Sequence, residues 1–177
     1  MLLWQTITQH YLNFMELIKA TDIHTKAFEQ LEREFIQYDN CLGIDAHYKK
    51  VDASTLPPEY FASEMHKRLN KQDVFFYLAQ EDDTVRGYIY GYIEALPDRF
   101  ERKQIGYLDS IFLSESFRGK GHASAMKEAF FTWLAEHHVT LCQIHVAAPN
   151  TNTLEVYKKW GFTPDQIRLT AEVPTLE

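Results

Sequence analysis

The sequence predicts an α/β protein in which strands and helices alternate, and three observations carry that reading. Apolar runs of strand length, separated by turn residues, recur from Val74 onward. A longer run then places Met126, Phe130 and Leu134 at four-residue steps, the stripe of a helix lying on a sheet. Between the two, Ser114 to Ser124 forms a glycine-bearing turn of the kind that feeds a strand into a helix in an α/β sandwich.

Taken in order, Asn13 to Lys19 reads as a first strand, preceded by an extension, Met1 to Leu12, whose Trp4, Ile7 and Tyr11 are spaced for a short helical face. Thr21-Asp22 offers a helix cap, after which Phe28, Leu31 and Phe35 recur at helical spacing. Gly43 to Leu56 lacks periodicity and reads as a loop. Pro57 or Pro58 suits the first turn of a helix that runs to Asn70. Val74 to Gln80, the turn Glu81-Asp-Asp-Thr84 and Val85 to Ala95 make a hairpin. Leu96 to Lys103 is a polar connection, and Ile105 to Leu113 is the strand that leads into the turn. Ala123 to His137 is the striped helix, Leu141 to Val146 a buried strand, Asn152 to Lys159 a helix and Ile167 to Val173 a last strand.

With 177 residues, 45% apolar and 14% aromatic, the chain suits one domain over residues 1–177 with a sizeable core. A net charge of −7 argues against holding nucleic acid by its backbone and favours a cationic partner such as an amine. Cys41 and Cys142 have no metal spacing, and neither a signal peptide nor an apolar run of about 18 residues is present, so a soluble, cytoplasmic protein without membrane or metal is expected. Cys142, within a strand, reads as a packed thiol rather than a nucleophile.

The turn carries the chemistry. Gly119 and Gly121 let the backbone bend tightly and aim successive N–H groups inward, Arg118 and Lys120 add positive charge, and a helix starting near Gly121 adds its dipole. That is a phosphate cradle. It is not a mononucleotide P-loop, since no glycine stands five residues before the Gly-Lys pair and Lys120 precedes Gly121. Nor is it a dinucleotide fingerprint, which needs a third glycine and a later acidic residue.

From Arg118, the segment Arg-Gly-Lys-Gly-His-Ala resembles the Arg/Gln-x-x-Gly-x-Gly/Ala signature of the GNAT superfamily of N-acetyltransferases, matching at Arg118, Gly121 and Ala123. A second block downstream, Asn150-Thr-Asn-Thr-Leu-Glu-Val-Tyr-Lys-Lys-Trp-Gly-Phe162, resembles that superfamily's Asn-x-x-Ala-x-x-x-Tyr-x-x-x-Gly-Phe at the same spacing. The resemblance covers Ile105 to Phe162. It implies a mixed, mostly antiparallel sheet with a V-shaped splay between two central parallel strands, flanked by helices, and acetyl-CoA as cosubstrate.

It also implies roles. The backbone of Ile111, Phe112 and Leu113 would bind the pantetheine arm and polarise the thioester. Arg118, Gly119, Lys120, Gly121, His122 and Ala123 would hold the pyrophosphate, and Asn150 the pantetheine amides. Tyr157 would protonate the leaving thiolate; read from its helix alone, it is a core tyrosine sharing a face with Leu154 and Gly161. Asp109 interrupts an apolar strand where several members of the superfamily carry a catalytic glutamate, so it is the candidate base, the alternative being a carboxylate that binds backbone. Glu115 in the loop and His145 on the splayed strand are the alternative bases, reading otherwise as a solvated carboxylate and a satisfied core histidine, and His137-His138 reads as a helix C-terminus.

Fifteen residues follow Phe162, room for one strand where the superfamily has two, so the acceptor side is either more open or completed by a neighbouring subunit in a homodimer. The implied reaction is direct acetyl transfer to a primary amine of a small molecule, favoured by the acidic charge and by Asp39, Asp45 and Asp52 in the loop before Pro57. Acetylation of a protein N-terminus or lysine, and a non-catalytic acyl-CoA-binding domain, are the alternatives.

Overall fold

Alternation of side chains along each strand gives the central sheet two buried faces, and the helices divide between them. The computed structural model describes residues 15–43 and 51–173, so the extension, Asp45 and the final four residues lie outside the described residues. Five strands run in sheet order β1 (Glu16–Lys19), β2 (Val74–Glu81), β3 (Thr84–Ala95), β4 (Gln104–Leu113) and β5 (Cys142–Ile144). The first three pairings are antiparallel, and β4 with β5 is parallel. Among the described residues four helices accompany them: α1 (Thr25–Cys41), α2 (Pro58–Leu69), α3 (His122–Glu136) and α4 (Thr151–Lys159).

One face of the sheet presents Phe75, Ala79, Ile89 and Leu108 to Met126, Phe130 and Leu134, the stripe read from α3. The opposite face presents Phe76, Leu78, Tyr88, Tyr90 and Phe112 to Phe28 and Leu31 of α1 and Met65 of α2. Close approach is built in at Gly91, where a Cβ would stand 2.6 Å from the Phe130 ring and 2.8 Å from the Tyr107 carbonyl.

Thr21 and His24 form a reciprocal cap at the entry to α1, and Pro57 caps α2 with Pro58 in its first turn. Asp39 belongs to α1, not to the loop before Pro57, because α1 continues to Cys41. Two strands depart from the sequence reading. The strand expected over Leu141 to Val146 is only Cys142–Ile144 and half-buried, since it pairs with β4 over Gly106 to Leu108 and then parts from it. No strand forms over Ile167 to Val173, where Ile167, Leu169 and Val173 are 89%, 88% and 86% exposed. The parallel pair therefore lies at the edge of the sheet among the described residues rather than at its centre. No helix of the described residues is long and apolar enough to cross a membrane.

Candidate active site

The site is built where β4 parts from β5. Their register ends at Leu108 opposite Ile144, whereas β4 stays paired with β3 as far as Leu113. Beyond Leu108, Asp109 to Leu113 border no strand on the β5 side among the described residues, which opens one edge of backbone. The β3–β4 register skips Asp109, with Leu108 opposite Gly91 and Ser110 opposite Tyr90, so Asp109 is the extra residue of a β-bulge. A bulge turns a side chain out of the alternation: Asp109 is exposed, not the buried carboxylate expected of an apolar strand. Its charge still reaches the phenols of Tyr90, Tyr92 and Tyr107, each of which it helps to hold above the ordinary tyrosine range behind the larger effect of burial. Ile111 is half-buried while Phe112 and Leu113 are buried, and the hydroxyls of Ser110 and Ser114 are buried without a partner among the described residues.

After β4 the chain makes one 3₁₀ turn, Glu115–Phe117, with Glu115 exposed, and bends through Gly119 at φ +76° and Gly121 at φ +85° into α3. Gly121 is the helix N-cap and contributes no side chain; the first N–H to find a helical acceptor is that of Ala125, 3.1 Å from the Gly121 carbonyl. The preceding N–H groups, Gly119 to Ser124, are left for an external acceptor at the positive end of the helix dipole. No Cβ at Gly119 or Gly121 would meet anything within 4 Å, so both glycines serve backbone conformation rather than packing.

Three side chains of the expected cradle, those of Arg118, Lys120 and His122, have contacts of their own. The Arg118 N–H donates to the Glu115 carbonyl at 3.2 Å. Its guanidinium lies 4.6 Å from the Tyr38 ring centroid and 5.3 Å from that of Phe112, with Nε donating to the Leu113 carbonyl at 2.9 Å. Arg118 thus pins the loop to α1 and β4. Sequence reasoning missed Phe117, 2% exposed, which anchors the turn: His122 stacks on it at 5.0 Å and the Lys120 ammonium stands 5.2 Å from its centroid. Burial, then the Lys120 charge, lowers the His122 pKa. Ala123 is half-buried in the first turn.

Asn150 caps α4, its Oδ1 accepting from the Thr153 N–H at 3.2 Å, which leaves its Nδ2 as donor. Two turns on, Tyr157 is 8% exposed between Trp160 and Phe162, with ring centroids 5.5 and 6.0 Å away, and burial pushes its phenol up to about 12. Helix α4 is tied to the start of α3 by Trp160 Nε1 donating to Ser124 Oγ at 3.2 Å, and Phe162 packs against Phe131 farther along α3 at 6.0 Å. Tyr157 is therefore held beside the cradle, while Asp109 belongs to the tyrosine cluster at the bulge. His145 is exposed, not in the core; its Nδ1 is hydrogen-bonded to the Tyr107 hydroxyl across the β4–β5 gap. Burial raises the Cys142 thiol to about 11, which leaves it unreactive. Among the described residues no three His, Cys, Asp or Glu side chains are grouped to hold a metal ion.

Residues 28–162 match the acetyltransferase (GNAT) family. No curated protein matches the chain. Among solved structures, the aminoglycoside N-acetyltransferase AAC(6')-Iy in complex with CoA aligns with a TM-score of 0.68 at 15% identity, covering 91% of this chain and 95% of that one. The same enzyme bound to the bisubstrate analogue CoA-S-monomethyl-acetylneamine aligns at 0.67 and 15%, over 91% and 99%. A predicted acetyltransferase with acetyl-CoA from Clostridium acetobutylicum aligns at 0.67 and 17%, over 89% and 96%.

Proposed function

The chain belongs to the acetyltransferase (GNAT) family, and from that premise we propose that it moves an acetyl group from acetyl-CoA to a primary amine of a small molecule, by direct attack in a ternary complex and as a single catalytic domain. The observation that carries this reading is the start of α3, which has no side-chain cap and where two glycines at positive φ leave a run of N–H groups without intrahelical acceptors beside a β4 edge that no strand of the described residues covers. Such a cradle fits a pyrophosphate, and such an edge fits an extended amide-bearing arm. Acetyl-CoA would supply both, together with a thioester-activated acetyl group.

The residues divide the work as follows. The N–H groups of Gly119, Lys120, Gly121, His122 and Ala123 hold phosphate, helped by the Lys120 charge. Arg118 holds the loop in shape. Backbone of Ile111 to Leu113 pairs with the arm and orients the thioester carbonyl, and Asn150 donates to the arm through Nδ2. Tyr157, neutral at physiological pH like any tyrosine and carried further from ionisation by burial, keeps an O–H for the departing sulfur. An ordinary thiol ionises near 8.5, below this phenol, so Tyr157 acts on the departing sulfur mainly as a hydrogen-bond donor that stabilises the thiolate. Asp109 takes the proton of the incoming ammonium, directly or through water.

The net charge of −7 supports a cationic acceptor, and the aminoglycoside enzyme among the structural neighbours acts on amines of small molecules. We further propose that two copies associate through the segment that carries Ile167, Leu169 and Val173. The test is calorimetry with acetyl-CoA alongside CoA release against polyamines, aminoglycosides, amino acids and basic peptides. Tyr157→Phe should lower turnover by about a hundredfold at unchanged acetyl-CoA affinity. Full turnover in that variant removes the role given to Tyr157. Binding without turnover favours a binding domain, and absence of binding overturns the reading.

A further inference from the structure

The face of β3 and β4 next to the bulge carries a ladder of rings to which the roles proposed above assign nothing. Tyr90 lies 6.0 Å from Tyr92, Tyr92 stacks on its cross-strand partner Tyr107 at 5.2 Å and 26°, and Tyr107 meets the His145 ring at 5.2 Å and 85°. Tyr90 is buried, whereas Tyr92 and Tyr107 are half-buried and present ring surface. One cation is already seated on it. The Lys71 ammonium, carried by the turn that leaves α2, stands 2.9 Å from the centroid of Tyr92.

Other charges bear on this surface. Asp109 acts on all three phenols, Glu94 on Tyr92 and Tyr107, and Glu64 on Tyr90, while Arg168 acts on Tyr107 in the opposite sense. Beneath Tyr90 the Arg68 guanidinium, 5.2 Å from its centroid, is paired with Glu32 at 3.0 Å. The rings thus offer negative π-faces within the field of nearby carboxylates, and the buried cation below is matched by its own carboxylate.

We propose that the Tyr92–Tyr107 face with Asp109 is the acceptor subsite, that it takes a primary ammonium on an unbranched alkyl chain, and that Lys71 is a placeholder which the acceptor displaces. This rests on the acetyl-transfer reading above and names the amine within it. The class follows from the occupant, because what the face accommodates is an ammonium at the end of four methylenes. The position follows from the register, since Tyr107 and Leu108 are the last β4 residues before the strands part and Asp109 is the first beyond them.

The test measures acetyl transfer to 1,4-diaminobutane, to Nα-acetyl-lysine amide and to glucosamine by the parent, Tyr92→Leu, Tyr92→Phe and Lys71→Met proteins, with acetyl-CoA affinity by calorimetry. For the better alkylamine, Tyr92→Leu should raise KM roughly five- to tenfold with kcat and acetyl-CoA affinity close to the parent's, and Tyr92→Phe should restore KM because the π-face returns. Lys71→Met, which keeps an unbranched stem and removes the competing ammonium, should lower KM severalfold. The relative efficiency of the diamine and the lysine amide separates a free amine from a lysine side chain as the source. Unchanged KM in both Tyr92→Leu and Lys71→Met, with transfer intact, overturns the subsite and leaves the acetyltransferase standing. Transfer to glucosamine and to neither alkylamine overturns the acceptor class alone. Failure to bind acetyl-CoA overturns both.

Discussion

Tyr157 and Gly121 carry the two demands that a group-transfer site makes on single residues, a proton in place and a backbone in place. Burial holds the Tyr157 phenol at about 12, above its ordinary value near 10. The ionised fraction is therefore negligible up to about pH 10, and an alkaline fall in rate below that pH should be unaffected in shape by Tyr157→Phe, even though the variant is slower throughout. The same shift has a sign for stability. A phenol raised in the folded protein contributes stability that is complete below its unfolded pKa and disappears as pH rises through the folded one. Tyr90 and Tyr107, also pushed up to about 12, act in the same direction, so the urea midpoint should fall between pH 10 and 12; a flat midpoint there would contradict these environments. Gly121 makes a different demand. At φ +85° with open space around it, an alanine meets no clash but costs about 1–2 kcal/mol in backbone conformation, and the N–H groups turn away as that strain relaxes. Gly121→Ala should weaken acetyl-CoA binding about tenfold by calorimetry while leaving the melting temperature within a few degrees.

At the scale of elements, a polar link inside the apolar core joins α1, α2 and β3. Glu32, 5% exposed, accepts a hydrogen bond from the Tyr88 hydroxyl and pairs with Arg68, whose guanidinium also lies 4.8 Å from the Phe28 centroid. Burial alone would lower the Arg68 pKa, and Tyr88, Glu32 and Asp109 together carry it above its usual range, so the group stays charged. Removing one partner strands that charge. Glu32→Ala should cost about 3–5 kcal/mol by urea denaturation, and the double variant with Arg68→Met should cost less than the two single changes added. This link, on the ladder side of the sheet, was not legible in the sequence, because Glu32 and Arg68 each look like solvated helix positions until two helices meet. The hairpin, the α3 stripe and the glycine turn were legible, since each follows from local periodicity or local backbone chemistry. The β-bulge that leaves Asp109 unpaired was not legible, because a bulge depends on cross-strand register, which a single strand does not encode.

Across the whole molecule, the most exposed apolar segment past β5 lies beyond Phe162. Ile167, Leu169 and Val173 fall on the same side of a two-residue alternation with Arg168, Thr170 and Glu172 between them, the pattern of a strand with one buried face. Local pattern favours a strand, yet none forms there, because a strand needs a neighbour and β5 offers only three paired residues. Three large apolar side chains at 86–89% exposure are a cost that a second copy can remove by covering them. Light scattering on the eluting protein should then give twice the 20.8 kDa of one chain. Leu169→Asp, which places a charge in the covered face, should halve that mass without altering acetyl-CoA affinity, since the cradle and Tyr157 lie within one chain. A parent protein that elutes as a single chain at all concentrations removes the association, and with it any need for a neighbour to complete the acceptor side.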